Sequence, residues 1–193
     1  MKYIKVETIM ACLLLLGMLI LSREAAKTVM NMKNQDSSKL IVIDAGHGGD
    51  DPGKVAVDQT NEKDINLAIA KKLQTELEKS GYRVIMTRDT DQGLYDEGVS
   101  NKKAQDMKRR CALINQVEPM ITVSIHQNSF GSESVKGAQV FYYEKSEKGR
   151  KLASCIQDSL RINVDPSNNR KPKPDHNYYM LLNTTSPIVI VEC

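Results

Sequence analysis

Short apolar runs alternate with segments of helical period along most of this chain, and that alternation limits the folds open to it. Leu40–Asp44 has the composition of a short strand buried on both faces. Further strands are predicted at 82–87, 120–125, 138–143, 178–181 and 188–192. Because strands and helices alternate, we predict an α/β domain with a mixed, mostly parallel twisted sheet of about six strands and helices on both faces.

Three segments between these strands have the spacing of amphipathic helices. The first follows Asn61, a residue that favours the N-cap position, and stops at Gly81. Its apolar residues recur every fourth position, at Ile65, Ile69, Leu73 and Leu77. The other two helices are predicted over 101–115 and 146–162, and the polar, proline-rich stretch 163–177 is predicted to be a loop.

The N-terminal region differs from the rest of the chain. Two lysines precede an uninterrupted apolar run at 9–21, which is shorter than the ~20 residues that span a bilayer and has the length of a signal-peptide core. A buried N-terminal helix is the alternative, but the run lacks the polar face of a surface helix. We therefore predict an export signal, either a signal peptide or a signal anchor, at 1–23, a linker at 24–38 and one domain at 39–193.

Charge and cysteine content exclude some classes of protein. The formal net charge is +3, far below that of a nucleic-acid-binding domain, so no nucleic-acid partner is expected. Outside the predicted signal, Cys111, Cys155 and Cys193 remain, and an odd number without a C-x-x-C spacing argues against a disulfide framework. Cys111 and Cys155 fall on predicted helix core positions, where a thiol packs as a small apolar group.

Imidazole and carboxylate side chains occur where predicted strands end. His47 follows the first strand, His126 follows the third, and Glu192 ends the last. Glu62 directly precedes the first helix. In α/β sheets, functional side chains collect at the carboxyl ends of strands. Two imidazoles and one carboxylate with an open fourth position form a catalytic zinc set, so His47, His126 and a carboxylate at this edge are candidates for such a site. Glu192 would then move the proton of a zinc-activated water.

The glycines around His47, in DAGHGGDDPG, are expected to let the chain turn sharply so that the imidazole faces an open groove. The segment 48–54, GGDDPGK, also fits the phosphate-binding pattern G-x-x-x-x-G-K. Val55 stands where that pattern needs Ser or Thr, and Asp50 and Asp51 would repel a phosphate group. Nucleotide binding is therefore disfavoured.

Each of these residues also has an ordinary structural explanation when it is taken alone. A histidine at a strand end is more often structural than ligating, and Glu62 suits a first helical turn, where it complements the helix dipole. Glu192 is harder to explain in that way, because an unpaired carboxylate after an apolar strand is costly to bury. His176 lies in the predicted loop, where we expect it to be exposed, and a role as substrate contact or alternative ligand stays open.

Seven stretches of the chain resemble, in their order, the zinc-dependent N-acetylmuramoyl-L-alanine amidases of the amidase-3 type. They are IVIDAGHGGDDPG, NEKDINL, MTRDTD, KRRCALIN, VSIHQNS, GAQVFYY and SPIVIVEC. The resemblance extends over residues 39–193. Within the family, the export signal and the single-domain layout are most similar to the germination-specific amidases of spore-forming bacteria.

The resemblance implies that zinc is held by His47, Glu62 and His126 and that Glu192 is the catalytic carboxylate. It implies a peptidoglycan substrate, cut at the amide between N-acetylmuramic acid and the L-alanine of the stem peptide. In spore formers this step precedes the formation of muramic-δ-lactam in the cortex. The implied location is outside the cytoplasm, on the cell-wall or cortex side of the membrane, with membrane contact only through an N-terminal anchor.

Some features depart from the family pattern. Leu182 replaces a basic residue of many relatives, and the domain is expected to lack the helix that follows the last strand in the family. Arg110 and Asn115 match positions that are structural rather than catalytic. One alternative is therefore a peptidoglycan-binding protein whose zinc site is incomplete without that helix or without an activating protein partner. Another is a different zinc hydrolase on the same scaffold, such as a peptidase or a deacetylase.

Overall fold

Six β-strands form one sheet in the part of the chain that the structure, a computed structural model, describes. The described residues are Arg23, 37–129 and 135–193. In chain order, β1 to β6 are Leu40–Ala45, Arg83–Met86, Ile121–His126, Gln139–Tyr143, Lys173–Asp175 and Ile188–Glu192. The order across the sheet is β2-β1-β3-β6-β4-β5, and among these neighbours β4 and β6 are antiparallel. The predicted α/β class with a mostly parallel sheet of about six strands is confirmed.

Four α-helices of the domain pack against the sheet within the described residues. In chain order, α1 to α4 are Glu62–Lys79, Lys102–Val117, Glu147–Asn163 and Tyr179–Asn183. The side chain of Asn101 caps α2 and that of Ser146 caps α3, each by accepting a bond from a backbone N–H in the first turn. Asn61 occupies the predicted N-cap position of α1, but its side chain makes no capping bond. The three longer helices are the ones predicted.

The predicted signal at 1–23 and linker at 24–38 lie almost entirely outside the described residues. Residues Ser38–Cys193 form one compact unit, as judged from the spatial contacts between them. None of the helices in the described part is long and apolar enough to cross a membrane.

Two apolar layers cover the faces of the sheet, because side chains alternate along each strand. On one face, Ala70 of α1 and Ala153 of α3 are fully buried against the strands. On the other face, α2 and α4 pack around Val42 of β1 and Ile190 of β6. Cys111 is buried in this second layer, as predicted. Helices therefore lie on both faces of the sheet, as the alternating pattern indicates.

In the segment 178–181, which is predicted to be a strand, the chain is helical from Tyr179 onward, and β5 occurs in the predicted loop before it. Asp175 ends β5, and its Oδ1 accepts two backbone N–H bonds that turn the chain into α4. Met180 and Leu181 both pack in the same apolar layer. Neighbouring residues of a strand would point to opposite faces of the sheet. The prediction is wrong because a short apolar run does not distinguish these two states.

Two predicted core positions are exposed. Ile65 of α1 is 36% exposed, whereas Ala70 is fully buried and Leu73 packs against the core. At 3.6 residues per turn, a four-residue step advances about 40° beyond a full turn, so a run of such steps winds away from the core. Cys155 of α3 is exposed because it lies about 200° around the helix from the buried Ala153.

A buried ion pair between β1 and α2 lies beneath the carboxyl edge of the sheet. Asp44 is 1% exposed, and Nη1 of Arg110 lies 2.7 Å from its Oδ1. The hydroxyl groups of Ser124 and Thr87 donate to the same carboxylate at 2.6 Å each. Burial alone would raise the pKa of Asp44, but the Arg110 charge and the two hydroxyl bonds lower it to about 2. The carboxylate is therefore kept charged inside the domain.

We expect Asp44→Asn to lower the free energy of unfolding by about 3 kcal/mol, because the buried Arg110 charge loses a counterion. The pKa of Asp44 is lower in the folded chain than in the unfolded chain. Its contribution to stability is therefore present above about pH 4 and is lost as the pH falls toward 2. Denaturant unfolding between pH 7 and pH 2 measures both effects.

Asp96→Asn is the matched control, because Asp96 pairs with Arg109 on the surface. Exposed ion pairs contribute little to stability, so this variant should unfold like the wild type. Equal losses of stability in the two variants would contradict the importance of the buried pair.

Candidate metal centre

Three parallel neighbours, β1, β3 and β6, end at the same edge of the sheet. His126 ends β3 and Glu192 ends β6, and the two are partners in the register of these strands. The backbone N–H of Gly46 donates to the carbonyl of Ile125 at 3.0 Å, which extends the pairing of β1 with β3 by one residue. The chain then turns at His47, so both imidazoles lie at this edge.

Glu62 reaches the same edge from the first turn of α1. The segment before the helix folds back, since the Glu62 N–H donates to the carbonyl of Lys54 at 2.9 Å. In return, the Lys54 N–H donates to Oε2 of Glu62 at 2.8 Å, and the Gln127 N–H donates to Oε1 at 3.1 Å. The residue is 6% exposed. Backbone groups from two segments therefore fix both oxygens of this carboxylate.

His47, Glu62 and His126 form a compact group of candidate metal ligands. Oε1 of Glu62 lies 3.2 Å from Nε2 of His47 and 3.1 Å from Nδ1 of His126. One ligand atom from each residue lies within 4.8 Å of the others. The two imidazole rings meet edge to face, with 4.9 Å between their centroids. The structure thus brings the three predicted ligands together, and their role in binding a metal stays a prediction.

The backbone of His47 is left-handed, with a φ of 63°, which is unfavourable for a residue with a side chain. Nη2 of Arg110 donates to the carbonyl oxygen of His47 at 2.7 Å. Nδ1 of His47 lies 2.9 Å from Oδ2 of Asp51, so Nδ1–H donates to that carboxylate and Nε2 faces Glu62. The buried guanidinium therefore holds the backbone, and Asp51 holds the ring.

Two glycines leave the space that the candidate ligands occupy. A Cβ atom at Gly46 would lie 2.4 Å from Nε2 of His126, and one at Gly53 would lie 2.8 Å from Oε2 of Glu62. Both distances are well inside van der Waals contact. The predicted sharp turn occurs just after His47, at two glycines with φ of 130° and 57°. Gly46 is thus required for space, and the next two glycines for the turn.

Glu192 lies beside this group of ligands and is not a member of it. Its Oε1 accepts a hydrogen bond from the hydroxyl of Tyr178 at 3.2 Å. Burial is the largest influence on the carboxyl group of Glu192, and it raises the pKa of this group above its ordinary value. A carboxyl group with a raised pKa is suited to take up and release a proton.

The charges of the ligand group follow from its contacts. Burial favours the neutral acid at Glu62, but hydrogen bonds from His126 and His47 outweigh it and lower the pKa of this carboxyl group. Burial also opposes protonation of His47, but the Glu62 and Asp51 carboxylates outweigh it and raise the pKa of the imidazole. Glu62 is therefore a carboxylate at neutral pH, which is the form that binds a metal ion.

A groove of about 910 Å³ opens over the ligand group, and all four predicted site residues line it. The opposite wall is formed by β4, β5 and the segment that leads into α4. The side chain of His176 is 66% exposed and lies 3.7 Å from Glu144, and it does not line the groove. Among the described residues, His176 is thus not part of the candidate metal group.

Three residues contribute to this site without a matching sequence prediction. The sequence indicates Asp51 only as a group that would repel a phosphate. Tyr178 lies in a segment that is wrongly predicted to be a strand. Arg110 matches a family position that is structural rather than catalytic. Asp51 lies four residues after His47, in the same glycine-rich turn, so their contact could have been predicted from the sequence. The contacts of Tyr178 and Arg110 depend on packing between distant elements, which no local pattern indicates.

Comparison with known proteins identifies the family. The family model of N-acetylmuramoyl-L-alanine amidases of the amidase-3 type matches residues 41–193, and the chain belongs to this family. It is similar to the germination-specific N-acetylmuramoyl-L-alanine amidase of Bacillus subtilis, with 41% identity over 159 residues. It is also similar to the solved CwlD amidase from Clostridioides difficile in complex with the GerS lipoprotein, with 42% identity and a TM-score of 0.78. The expected likeness to germination-specific members is confirmed.

The match covers different shares of these relatives. It spans 81% of this chain and 66% of the Bacillus amidase, and 80% of this chain and 81% of the solved CwlD chain. A probable cell wall amidase of Staphylococcus aureus, LytH, is 32% identical over 162 residues, which are 83% of this chain and 49% of LytH. The chain thus spans about two thirds of the Bacillus relative and about half of the staphylococcal one.

We expect Asp51→Ala to weaken Zn²⁺ binding by about 10- to 100-fold, because Nδ1–H of His47 loses the carboxylate that orients its ring. Competition with a chromogenic chelator measures the affinity. Asp50→Ala is the matched control, since Asp50 is adjacent and exposed and pairs with Lys102 instead. Zinc affinity that is the same in the two variants would argue against this role of Asp51.

Proposed function

We propose that this chain is a zinc-dependent N-acetylmuramoyl-L-alanine amidase. The observation that carries the proposal is the convergence of His47, Glu62 and His126 at one strand edge, beside Glu192 in an open groove. Membership of the amidase family supports the same activity. The proposed substrate is peptidoglycan, and the bond hydrolysed is the amide between N-acetylmuramic acid and the first L-alanine of the stem peptide.

The donor set fits Zn²⁺. Ligand atoms around a tetrahedral zinc ion lie about 3.4 Å apart when each bond is ~2.1 Å long. The separations of Oε1 of Glu62 from Nε2 of His47 and Nδ1 of His126, 3.2 Å and 3.1 Å, are close to that value. Two imidazoles and one carboxylate also leave a fourth position open, as in catalytic zinc sites. These three residues would therefore hold the ion.

When bound, zinc lowers the pKa of a coordinated water to ~7 and polarises the amide carbonyl. Glu192 would perform the proton transfers. Its carboxylate would accept the proton of the attacking water and deliver it to the nitrogen of the leaving L-alanine as the C–N bond breaks. The raised pKa of Glu192 suits both steps, since the group must bind a proton and then release it. The Tyr178 hydroxyl would keep the carboxylate oriented.

The proposed setting is outside the cytoplasm, during maturation of the spore cortex. The likeness to the germination-specific amidase of Bacillus subtilis supports this setting. The signal predicted at 1–23 would export the domain, and it is the proposed contact with the membrane. Removal of the stem peptide frees the lactyl carboxyl group of muramic acid, which is the group that closes the δ-lactam.

A protein partner is part of the proposal, because the CwlD amidase from Clostridioides difficile was solved in complex with the GerS lipoprotein. That observation also favours a second candidate function, in which the chain binds peptidoglycan and does not hydrolyse it without a partner. An assay of the purified chain alone on peptidoglycan separates the two. Release of stem peptides without any partner would remove the second candidate.

We expect Glu192→Gln to keep zinc bound and to lower kcat by about 10²- to 10⁴-fold, because an amide side chain cannot accept the proton of the water. Metal analysis measures the bound zinc. Mass spectrometry of digested peptidoglycan measures the release of stem peptides with an N-terminal alanine.

Glu144→Gln is the matched control, because Glu144 is an exposed carboxylate that does not line the groove. This variant should retain wild-type turnover. Chelation should abolish peptide release by the wild type, and added zinc should restore it. The mechanism is wrong if Glu192→Gln turns over normally or if the wild type stays active without metal.

A further inference from the structure

Two cations line the wall of the groove that lies across from the candidate ligands. Arg170 lies shortly before β5, Lys173 is the first residue of β5, and both line the groove. Arg170 is half-buried, and Lys173 is exposed. In the zinc mechanism neither residue has a role. Their charges therefore require a separate explanation.

The ammonium group of Lys173 is held without an ion pair in the described part of the chain. It lies 5.4 Å from the centroid of the Phe141 ring, a cation–π contact that restrains it at the groove. Asp175, an acidic residue of the same strand, accepts bonds from two backbone N–H groups through its Oδ1. Lys173 is thus placed in the groove with its charge available to an anion.

Arg170 is fixed beside it by neutral acceptors. Its Nη1 donates to the carbonyl of Gly137 at 3.1 Å, and its Nη2 donates to Oε1 of Gln139 at 2.6 Å. Neither acceptor carries a charge. The wall formed by β4 and β5 therefore carries two cations, Arg170 and Lys173, and one carboxylate, Asp175.

The register of the strands gives the distance from this wall to the reaction centre. Gln139 of β4 is the partner of Glu192, and Phe141 is the partner of Lys173, so the four side chains point to the same face of the sheet. Two strand spacings of ~4.8 Å and two residues along a strand put the Cα atoms of Glu192 and Lys173 about 12 Å apart. An extended peptide covers that distance in about three to four residues.

We propose that Lys173, with Arg170 beside it, forms a subsite that binds a carboxylate of the substrate peptide three to four residues from the scissile amide. The ligand is an acidic peptide, and the recognition is a charge-assisted hydrogen bond at the groove wall. The inference rests on the proposed function, since it takes the stem peptide as the occupant of the groove. It makes Lys173 a residue that selects substrates by charge.

Binding in a chain that carries Glu192→Gln tests this subsite without turnover. The probes are a muramoyl-tetrapeptide and the same compound with its peptide carboxylates converted one at a time to amides. Calorimetric titration should show that Lys173→Gln weakens binding of the free acid by about fivefold. The same substitution should not change the binding of the probe in which the recognised carboxylate is an amide. The carboxylate that Lys173 recognises is the one whose conversion to an amide removes the difference in affinity between the parent chain and Lys173→Gln.

Two further variants control for general effects. Lys171→Gln removes an exposed charge two residues away that does not line the groove, and it should bind every probe normally. Lys173→Arg keeps the charge and should restore most of the affinity. The subsite is wrong if Lys173→Gln weakens the binding of all probes equally or of none of them. It is also wrong if the parent chain does not bind the peptide at all.

Failure of the subsite and failure of the proposed function give different results. If the wild type hydrolyses peptidoglycan neither alone nor with an activating partner, the amidase proposal is wrong, but charge-dependent binding at Lys173 still supports an acidic peptide as ligand. If hydrolysis proceeds and Lys173→Gln binds the acid and the amides like its parent, the amidase stands and the subsite is wrong.

Discussion

The guanidinium group of Arg110 connects the interior of the domain to the candidate metal centre. It is buried, and it donates to the carboxylate of Asp44 and to the carbonyl groups of Ala45 and His47. A buried charge requires all of its partners, because water cannot replace them. The exit of β1 must therefore follow the one path that presents these oxygens to Arg110. That path includes the left-handed backbone of His47, which a free chain would avoid.

Strand pairing supplies the second constraint. β1, β3 and β6 are parallel neighbours, and the register that pairs His126 with Glu192 sets a candidate ligand beside the candidate proton carrier. Glu62 joins them from a helix start that backbone N–H groups hold in place. Each of these side chains thus comes from, or directly adjoins, a strand or a helix. Side chains that are attached to strands and helices keep fixed positions, which suits a reaction that depends on exact geometry.

The sequence predicts this edge of the sheet well and the opposite wall of the groove poorly. Continuous apolar runs indicate β1, β3 and β6, and the carboxyl-end rule then brings His47, His126 and Glu192 together. Glu62 alone would pass for a helix-dipole residue, and the family resemblance selects it. The wall with Lys173 and Tyr178 depends on a short, proline-containing β5 and on the helix α4, whose first residues resemble a strand in sequence. Tertiary packing determines both of these elements, and local sequence patterns do not predict it.

The central claim is that His47, Glu62 and His126 bind one catalytic zinc ion. Anomalous diffraction at the zinc edge, from crystals grown with zinc, tests it most directly. We expect a single peak per chain, with Nε2 of His47, Oε1 of Glu62 and Nδ1 of His126 each at about 2.0–2.2 Å. A peak coordinated by other residues, or no peak between these three side chains, would contradict the account.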